Sequence, residues 1–305
     1  MSTNRPTLDE DLQLDDDGPD GTAEASLWWT HVPALSGERL GVIGGFAATG
    51  SVAARRILAR AEGELRERGC SLAIGPMDGN TWRSYRFVTE AGAEPPFFLE
   101  PANPPEWPAS WRLNRFEPLA EYYSSATDDL TTRDPRLDAA AARMACAGIA
   151  IRALDPAHFE EELARIYEVS VVAFQDNYLY TPLPMEAFFA QYRAIRGRVK
   201  PELVLLAEQA GSPVGYVFAM PDYAQAQRAE PVTTVIVKTL AVLPVRSNAG
   251  LGALLLGKVH EAALALGFTR AIHALMHETN KSRNLSARYA RTIRRYTLFA
   301  KRLTA

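Results

Sequence analysis

Only two cysteines, Cys70 and Cys146, occur in 305 residues, too few for a disulfide framework or a four-cysteine zinc site. No apolar run approaches the roughly 18 residues of a membrane-spanning helix, and the N-terminus lacks a basic-then-apolar leader pattern. The cytoplasm is therefore the simplest expected compartment, with no membrane partner. No Gly-Lys-Ser/Thr is present, which excludes a P-loop, and no G-x-G-x-x-G spacing points to a dinucleotide fold. The segment HETNK (His277 to Lys281) lacks the second histidine of a zinc protease, so no metal site is expected. What is present is globular: 47% apolar and 23% charged residues, with length enough for two domains.

Charge is unevenly spread. Residues 1–25 hold eight acids against Arg5 alone, a local charge of −7; the whole chain carries −3, which leaves +4 for the remainder. Together with Gly18, Pro19 and Gly21 this composition reads as a disordered acidic tail. Near the other end Lys281, Arg283, Arg288, Arg291, Arg294 and Arg295 place six cations within fifteen residues. A solvated helix face is the plainest reading, with anionic-ligand binding as the alternative. The mildly basic body and the lack of interleaved aromatics disfavour general nucleic-acid binding.

Periodicity divides the chain into a tail at 1–25, a partial domain at 26–125, a linker at 126–147 and a second domain at 148–305. Ser26 to Thr30 and Leu40 to Phe46 read as strands. Ser51 to Arg68 reads as an amphipathic helix ended by Gly69, and Ser71 to Ile74 as a further strand. Six prolines between Pro95 and Trp111 argue against a regular helix there. In the second domain, strand and helix alternate: Gly148 to Arg152, a helix capped by Asp155, a second near Met185 to Ile195, and a hairpin turning at Ala210-Gly211. The strand Val232 to Val242, a helix from Gly250 to Leu266, and the strand Ala271 to Met276 follow. A helix over Ser282 to Thr292 and a strand over Tyr296 to Leu303 complete the pattern. Sliding the sequence by 198 residues superposes Ile57, Leu58, Ala61, Leu65 and Gly69 on Leu255, Leu256, Val259, Ala263 and Gly267 without a gap. That offset suggests an internal duplication.

The segment TLAVLPVRSNAGLGALLLG carries the chemistry. A buried strand ends near Pro244, the chain turns through Arg246 to Ala249, and a helix opens at Gly250-Leu251-Gly252. The first amides of a helix lack internal partners and sit at the positive end of its dipole. Glycines there let phosphate oxygens approach the backbone. The segment resembles the GNAT acyltransferase superfamily, whose signature is Arg/Gln-x-x-Gly-x-Gly/Ala after a strand ending near V-x-P; Val242, Pro244, Gly250 and Gly252 match it. The resemblance covers residues 149–303 and implies a tandem α/β fold: GNAT-like mixed sheets flanked by helices, with the N-terminal copy partial. It also implies acetyl-coenzyme A as co-substrate. Leu240 and Val242 would contact pantetheine, Arg246, Ser247, Asn248, Ala249, Gly250, Leu251 and Gly252 would cradle phosphates, and Asn280 would touch pantetheine.

The sequence departs from the family at several points. The Arg/Gln position holds Ser247, with Arg246 one residue early. The general-acid tyrosine position falls on Ala287, so Tyr289 would serve only in a shifted register. Lys238 and Thr239 stand where family enzymes place a glutamate base, which leaves Glu278 or a histidine-held water as the candidate. His273, Leu275 and His277 alternate, so both histidines are expected on one side of a strand, in structural hydrogen bonds. Tyr178 and Tyr180 read as packing residues. Val52 and Ala54 replace the signature glycines in the first half, where no cofactor is expected. GPMDGNTW (Gly75 to Trp82) and FFLEPANP are weighed equally as covers over an acceptor site and as structural segments. The resemblance implies acetyl transfer to a small-molecule or peptide primary amine by direct attack, with Tyr289 and Glu278 as catalytic candidates; a homodimer is left open. Its rivals are a catalytically silent acyl-coenzyme A sensor and an aminoacyl-tRNA-dependent transferase.

Overall fold

The computed structural model describes residues 10–132, 134–279 and 290–303. The first half runs β1 (Leu12–Gly18), β2 (Gly21–Trp28), β3 (Leu40–Ala48), α1 (Ser51–Glu67), β4 (Leu72–Gly75), β5 (Phe87–Glu90), α2 (Glu106–Leu113) and β6 (Glu117–Thr127). A helix, α3 (Arg136–Cys146), connects it to the second half. There follow β7 (Ile149–Ala153), α4 (Phe159–Ala173), α5 (Met185–Arg193), β8 (Val204–Gln209), β9 (Ser212–Pro221) and α6 (Tyr223–Gln227). The chain closes with β10 (Thr234–Val242), α7 (Leu251–Ala265), β11 (Arg270–His277) and β12 (Arg291–Arg302).

Among the described residues all twelve strands join one sheet, ordered β1-β2-β3-β4-β12-β6-β11-β10-β9-β8-β7, with β5 also on β12. The two halves exchange their last strands. β12 lies antiparallel to β4, from Phe299 opposite Gly75 to Arg302 opposite Leu72, and β6 lies antiparallel to β11. β12 and β6 then pair with each other over most of their length. The duplication expected from the 198-residue offset has a structural counterpart. β3-α1-β4 and β10-α7-β11 are both parallel strand-helix-strand units. Gly69 and Gly267 end the two helices with φ of 76° and 88°, conformations that cost an L side chain.

Each half builds its own core. In the first, Ala54, Ile57, Leu58, Ala61 and Leu65 turn one face of α1 onto the sheet. Trp111 meets Phe46, Phe87 and Phe116 with ring centroids 5.5, 5.4 and 4.6 Å away. In the second, α7 covers one sheet face through Leu251, Leu255, Val259 and Ala263, while α4 and α5 cover the other through Leu163, Ile166 and Phe188.

Four expectations are corrected. Residues 12–28 form the β1–β2 hairpin, where a disordered tail was expected. Leu14 is buried among α1 side chains, Asp16 pairs with Arg56 at 2.7 Å, and Asp11 accepts bonds from Trp29 N and Thr30 N. Asp11 and Asp16 are thus engaged by neighbours in the fold. Despite its prolines, the 95–111 stretch contributes most of α2. Pro105 is its N-cap and Pro108 lies in the first turn, where a missing N–H breaks no internal bond. The linker contains α3, which buries Leu137, Ala140 and Met144. Finally, Arg291 and Thr292 belong to β12 rather than to a helix; the remainder of that expected helix lies outside the described residues, apart from Ala290, which precedes β12.

A buried ion pair fixes the exchanged strand. Arg294 on β12 donates through Nε to Glu100 at 2.8 Å, with both side chains nearly sealed from solvent at 4% and 2% exposure. The Tyr296 hydroxyl donates to the same carboxylate at 2.5 Å. Arg291 pairs with Asp128 and Glu94, and Arg295 with Glu278, so three of the six clustered cations are neutralised within the chain. Because β12 fills the gap between β4 and β6, residues 1–128 and 129–305 expressed separately should each fail to unfold cooperatively, while co-expression restores one complex. Cooperative thermal unfolding of either piece alone would refute this.

His260 on α7 and His273 on β11 face each other with Nε2 atoms 3.3 Å apart, so one ring donates and the other accepts. Burial pushes the pKa of His260 down to about 4, and burial with its neighbour pushes that of His273 down to about 3. Both stay neutral in the folded state while the unfolded chain binds protons near the usual value of ~6.5. Their contribution is therefore complete above pH ~6.5 and declines as pH falls toward 4, by about 1.4 kcal/mol per pH unit per histidine. Denaturant melts between pH 7 and pH 5 should show this slope, and His260→Gln should flatten it.

Candidate functional site

β10 and β11 pair only over Thr234–Val237 and Arg270–His273, yet both strands continue, to Val242 and His277. Past Val237 they diverge into a wedge, leaving the facing edge of β10 without a ladder partner in β11. Each strand has an irregularity at the point of divergence. On β10 the register with β9 shifts between Val237 and Thr239, which makes Lys238 the bulged residue. On β11 the register with β6 shifts between His273 and Met276, and Leu275 adopts a φ of 61°. Bulges turn a strand and re-aim its side chains.

The bulges also invert the alternation of faces. Before Lys238, Val235 and Val237 face α7; after it Leu240 and Val242 do, while Ala241 joins the α4–α5 side. On β11 the same inversion separates the histidines. His273 enters the α7 core, whereas His277 emerges among aromatic rings, 4.9 Å from Tyr122 and 5.7 Å from Tyr178. The expectation of both histidines on one side is therefore wrong, because an uninterrupted period of two was assumed across a bulge.

The mouth of the wedge on the α7 side is the predicted turn. Gly250 caps α7 with a φ of 94° and no side chain caps that end. The first internal bond runs from Leu254 N to Gly250 O at 3.1 Å, leaving the preceding amides of the helix start for another acceptor. Asn248 is buried and donates through Nδ2 to Leu243 O at 3.1 Å, so its side chain braces the turn. Leu251 points into the core and can offer only its backbone. Arg246, Ser247 and Ala249 are exposed around the turn. A cation unforeseen from the sequence stands here as well: Nη2 of Arg143, on α3, lies 3.0 Å from where a Gly250 Cβ would be. The helix that positions it was read as linker.

The other side of the wedge is walled by the first half of the chain. The GPMDGNTW segment reaches across, and Trp82 Nε1 donates to Thr181 O at 2.8 Å. Phe98 of FFLEPANP accepts no exposed role either, its amide donating to Asp222 at 2.8 Å. Between them Arg86 enters the cleft. Its guanidinium lies over the rings of Tyr85 and Tyr122 at 3.9 and 4.2 Å and donates through Nη1 to Leu275 O at 3.4 Å. Tyr178 is partly exposed beside His277, and Tyr180 packs on Trp82 at 6.1 Å.

Electrostatically the cleft is cationic. Lys238 is exposed at the bulge, and desolvation together with nearby Arg86 lowers its ammonium pKa. Burial and Arg86 likewise lower that of His277, against a smaller opposing effect of Glu278. His277 Nδ1 accepts from Thr279 N at 3.1 Å, which leaves the ring proton of the neutral form on Nε2. Glu278 is held elsewhere: its carboxylate receives Arg295 Nη1 at 2.6 Å. Tyr289 and Asn280 lie outside the described residues.

Residues 163–290 match the family described as "Acetyltransferase (GNAT) family", so the second half of the chain carries a GNAT domain. Solved structures extend the likeness to the whole length. A GCN5-related N-acetyltransferase from Sphaerobacter thermophilus matches with a TM-score of 0.53 at 15% identity, covering 95% of this chain and 82% of that one. A tandem GNAT protein from the clavulanic acid biosynthesis pathway matches with a TM-score of 0.53 at 13% identity, covering 98% and 86%. A glucosamine N-acetyltransferase region of a fungal multi-domain β-N-acetylglucosaminidase reaches 0.55 at 13%, covering 92% of this chain but 31% of that one. At such identities the likeness speaks for the fold, which is tandem GNAT. No curated protein sequence matches the chain.

The arrangement predicts an observable titration. With lysines reductively 13C-methylated, the Lys238 resonance should titrate below the usual lysine range, and Arg86→Met should move its midpoint upward by removing a like charge. A midpoint unaffected by that substitution would separate the two cations.

Proposed function

We propose that the protein transfers an acyl group from acetyl-coenzyme A to a primary amine by direct attack within a ternary complex. The GNAT fold supports acyl-coenzyme A-dependent N-acyl transfer in general; the donor, the acceptor class and the residue roles are our reading. The observation that carries it is a wedge of unpaired β10 backbone leading into an uncapped helix start flanked by Arg143 and Arg246. Pantetheine, an extended chain with amide groups, matches an open strand edge, and a diphosphate matches free helix amides beside two guanidinium groups. Gly250 fits the same reading, since a side chain there would press on Arg143.

In this reading Leu240 and Val242 flank the pantetheine, and amides of the turn from Ser247 to Gly252 receive phosphate oxygens. Arg143 supplies the charge that Ser247 does not. Coenzyme A brings the activated thioester; the chain contributes proximity and backbone N–H groups directed at the carbonyl. The amine nitrogen bonds to the acyl carbon as the carbon–sulfur bond breaks, and the thiolate takes up a proton. Lys238, at the bulge where the wedge opens, is our candidate for accepting the proton that the attacking amine sheds. Glu278, engaged by Arg295, is poorly placed for that role. A silent acyl-coenzyme A binder is the second reading, favoured by the engagement of Glu278.

Calorimetric titration with acetyl-coenzyme A should give one site per chain, and Gly250→Asp should weaken binding by at least ~100-fold by adding charge and bulk among the phosphates. Arg143→Ala should cost about tenfold and reduce the salt dependence. Unchanged affinity in Gly250→Asp would remove the site from this turn. Binding without release of free thiol across a broad amine panel would transfer support to the silent binder.

A further inference from the structure

In the first half α1 opens on Gly50, at a φ of 98° and without a side-chain cap, with Val52 two residues on where α7 has Gly252, and this half also delivers one charged side chain to the second half's cleft. Arg86 is buried, with 6% exposure, and among the described residues its Nε has no hydrogen-bond partner. An arginine sealed in a protein ordinarily meets a carboxylate or several carbonyls, because desolvating a guanidinium without compensation is costly. Here, among the described residues, the compensation is one long bond to Leu275 O and the faces of tyrosine rings. Tyr296 adds a third ring at 5.8 Å.

Three further observations point the same way. The backbone holds Arg86 at a φ of 67°, a region that non-glycine residues occupy at a cost and that concentrates at functional sites. Its amide donates to Pro76 O at 2.7 Å, which pins that conformation. The Leu275 carbonyl it touches belongs to the bulge where β10 and β11 part, so the guanidinium sits at the wedge itself. Finally, Arg86 acts on Lys238 as a like charge, adding to the effect of desolvation. A polycationic or plain alkyl amine would enter a site that repels it and leaves Arg86 unmatched.

We infer that the acceptor is an amine bearing its own anionic group, a carboxylate or a phosphate monoester, and that Arg86 receives that group. This rests on the acyl-transfer reading for the identity of the amine, but the anion preference can be measured by binding alone. The guanidinium presents a planar fork suited to two oxygens, and the rings of Tyr85 and Tyr122 keep it in place. Arg86 meets Leu275 where β11 parts from β10, the strand that carries Lys238. The role assigned to Arg86 is binding and specificity, not proton transfer.

The test uses the full chain and matched pairs: tyrosine with tyramine, lysine with cadaverine, serine with ethanolamine, and O-phosphoethanolamine with ethanolamine. Binding is followed by saturation-transfer NMR and thiol release by a colorimetric assay. At least one anionic member should be preferred over its neutral or cationic counterpart by roughly 100-fold, the usual cost of leaving a buried charge unpaired. Preference for the amino acids or for O-phosphoethanolamine distinguishes carboxylate from phosphate. Arg86→Met should erase that preference, Arg86→Lys should retain part of it, and both should bind acetyl-coenzyme A as the unsubstituted chain does, which also certifies their folding. Equal binding of both members in every pair, no binding by any of them, or a preference that survives Arg86→Met would overturn the inference. Loss of the acyl-transfer reading looks different: anionic amines bind through Arg86, yet no thiol appears.

Discussion

β12 belongs in sequence to the second half and in space to the first, and the geometry of the cleft depends on that displacement. A strand that continued its own half would lie beside β11; here that edge is taken by β6, and β12 goes beyond it to β4. β11 is thereby tied along its full length to a strand from the other half, through pairs from Ala271–Thr127 to His277–Tyr122. β10 is tied equally firmly to β9. Two strands anchored to different partners can part only where their own ladder is interrupted, and both bulges fall there. The exchange therefore does more than join two cores. It fixes the angle at which the wedge opens.

Through the same exchange the first half is bound to the second. Its sheet receives β12 and is completed by it; its loops in turn supply Trp82, Phe98 and Arg86 to the neighbouring cleft. The buried Arg294–Glu100 pair locks this relation. A buried ion pair is weak support for stability by itself, but it strongly disfavours arrangements in which one partner is sealed without the other. Glu100 lies in the first half and Arg294 on the exchanged strand. Any register of β12 that moves Arg294 away also strands Glu100 and removes the acceptor of the Tyr296 hydroxyl. Specificity of strand placement is the property this pair can supply.

Much of the fold was legible from local pattern. α1 and α7 declare themselves by apolar residues three and four apart and by Gly69 and Gly267; the β8–β9 hairpin by Ala210-Gly211; the helix start by Gly250. What escaped was set by long-range partners. β1 looks disordered because its compensation comes from Arg56, Arg60 and the apolar face of α1, some forty residues along the chain. α3 looks like linker because Leu137, Ala140 and Met144 are a thin apolar stripe until α7 lies under it. At the site the divide is the same. Gly250 and Gly252 are recognisable by spacing, and Leu240 and Val242 follow from the family resemblance, whereas Arg143 and Arg86 carry no local signal, since each lies in a segment remote in sequence from the turn or strand it adjoins. The inverted facing of His273 and His277 was hidden because a bulge obeys pairing geometry, which no two-residue period reveals.

Placement of charge across the molecule sets Arg86 apart from the arginines that meet carboxylates. Arg56, Arg152, Arg193, Arg291 and Arg294 each meet a carboxylate within 3 Å. Sequences that fold well satisfy their buried polar groups, and departures concentrate where another molecule completes the set. Arg86 is such a departure in its burial, its backbone conformation and its company. Replacing it with a well-packed apolar residue would relieve the desolvation cost and the like-charge effect on Lys238 together. A chain selected for stability alone has every physical reason to make that replacement, and one that must hold an anion between Tyr85 and Tyr122 does not.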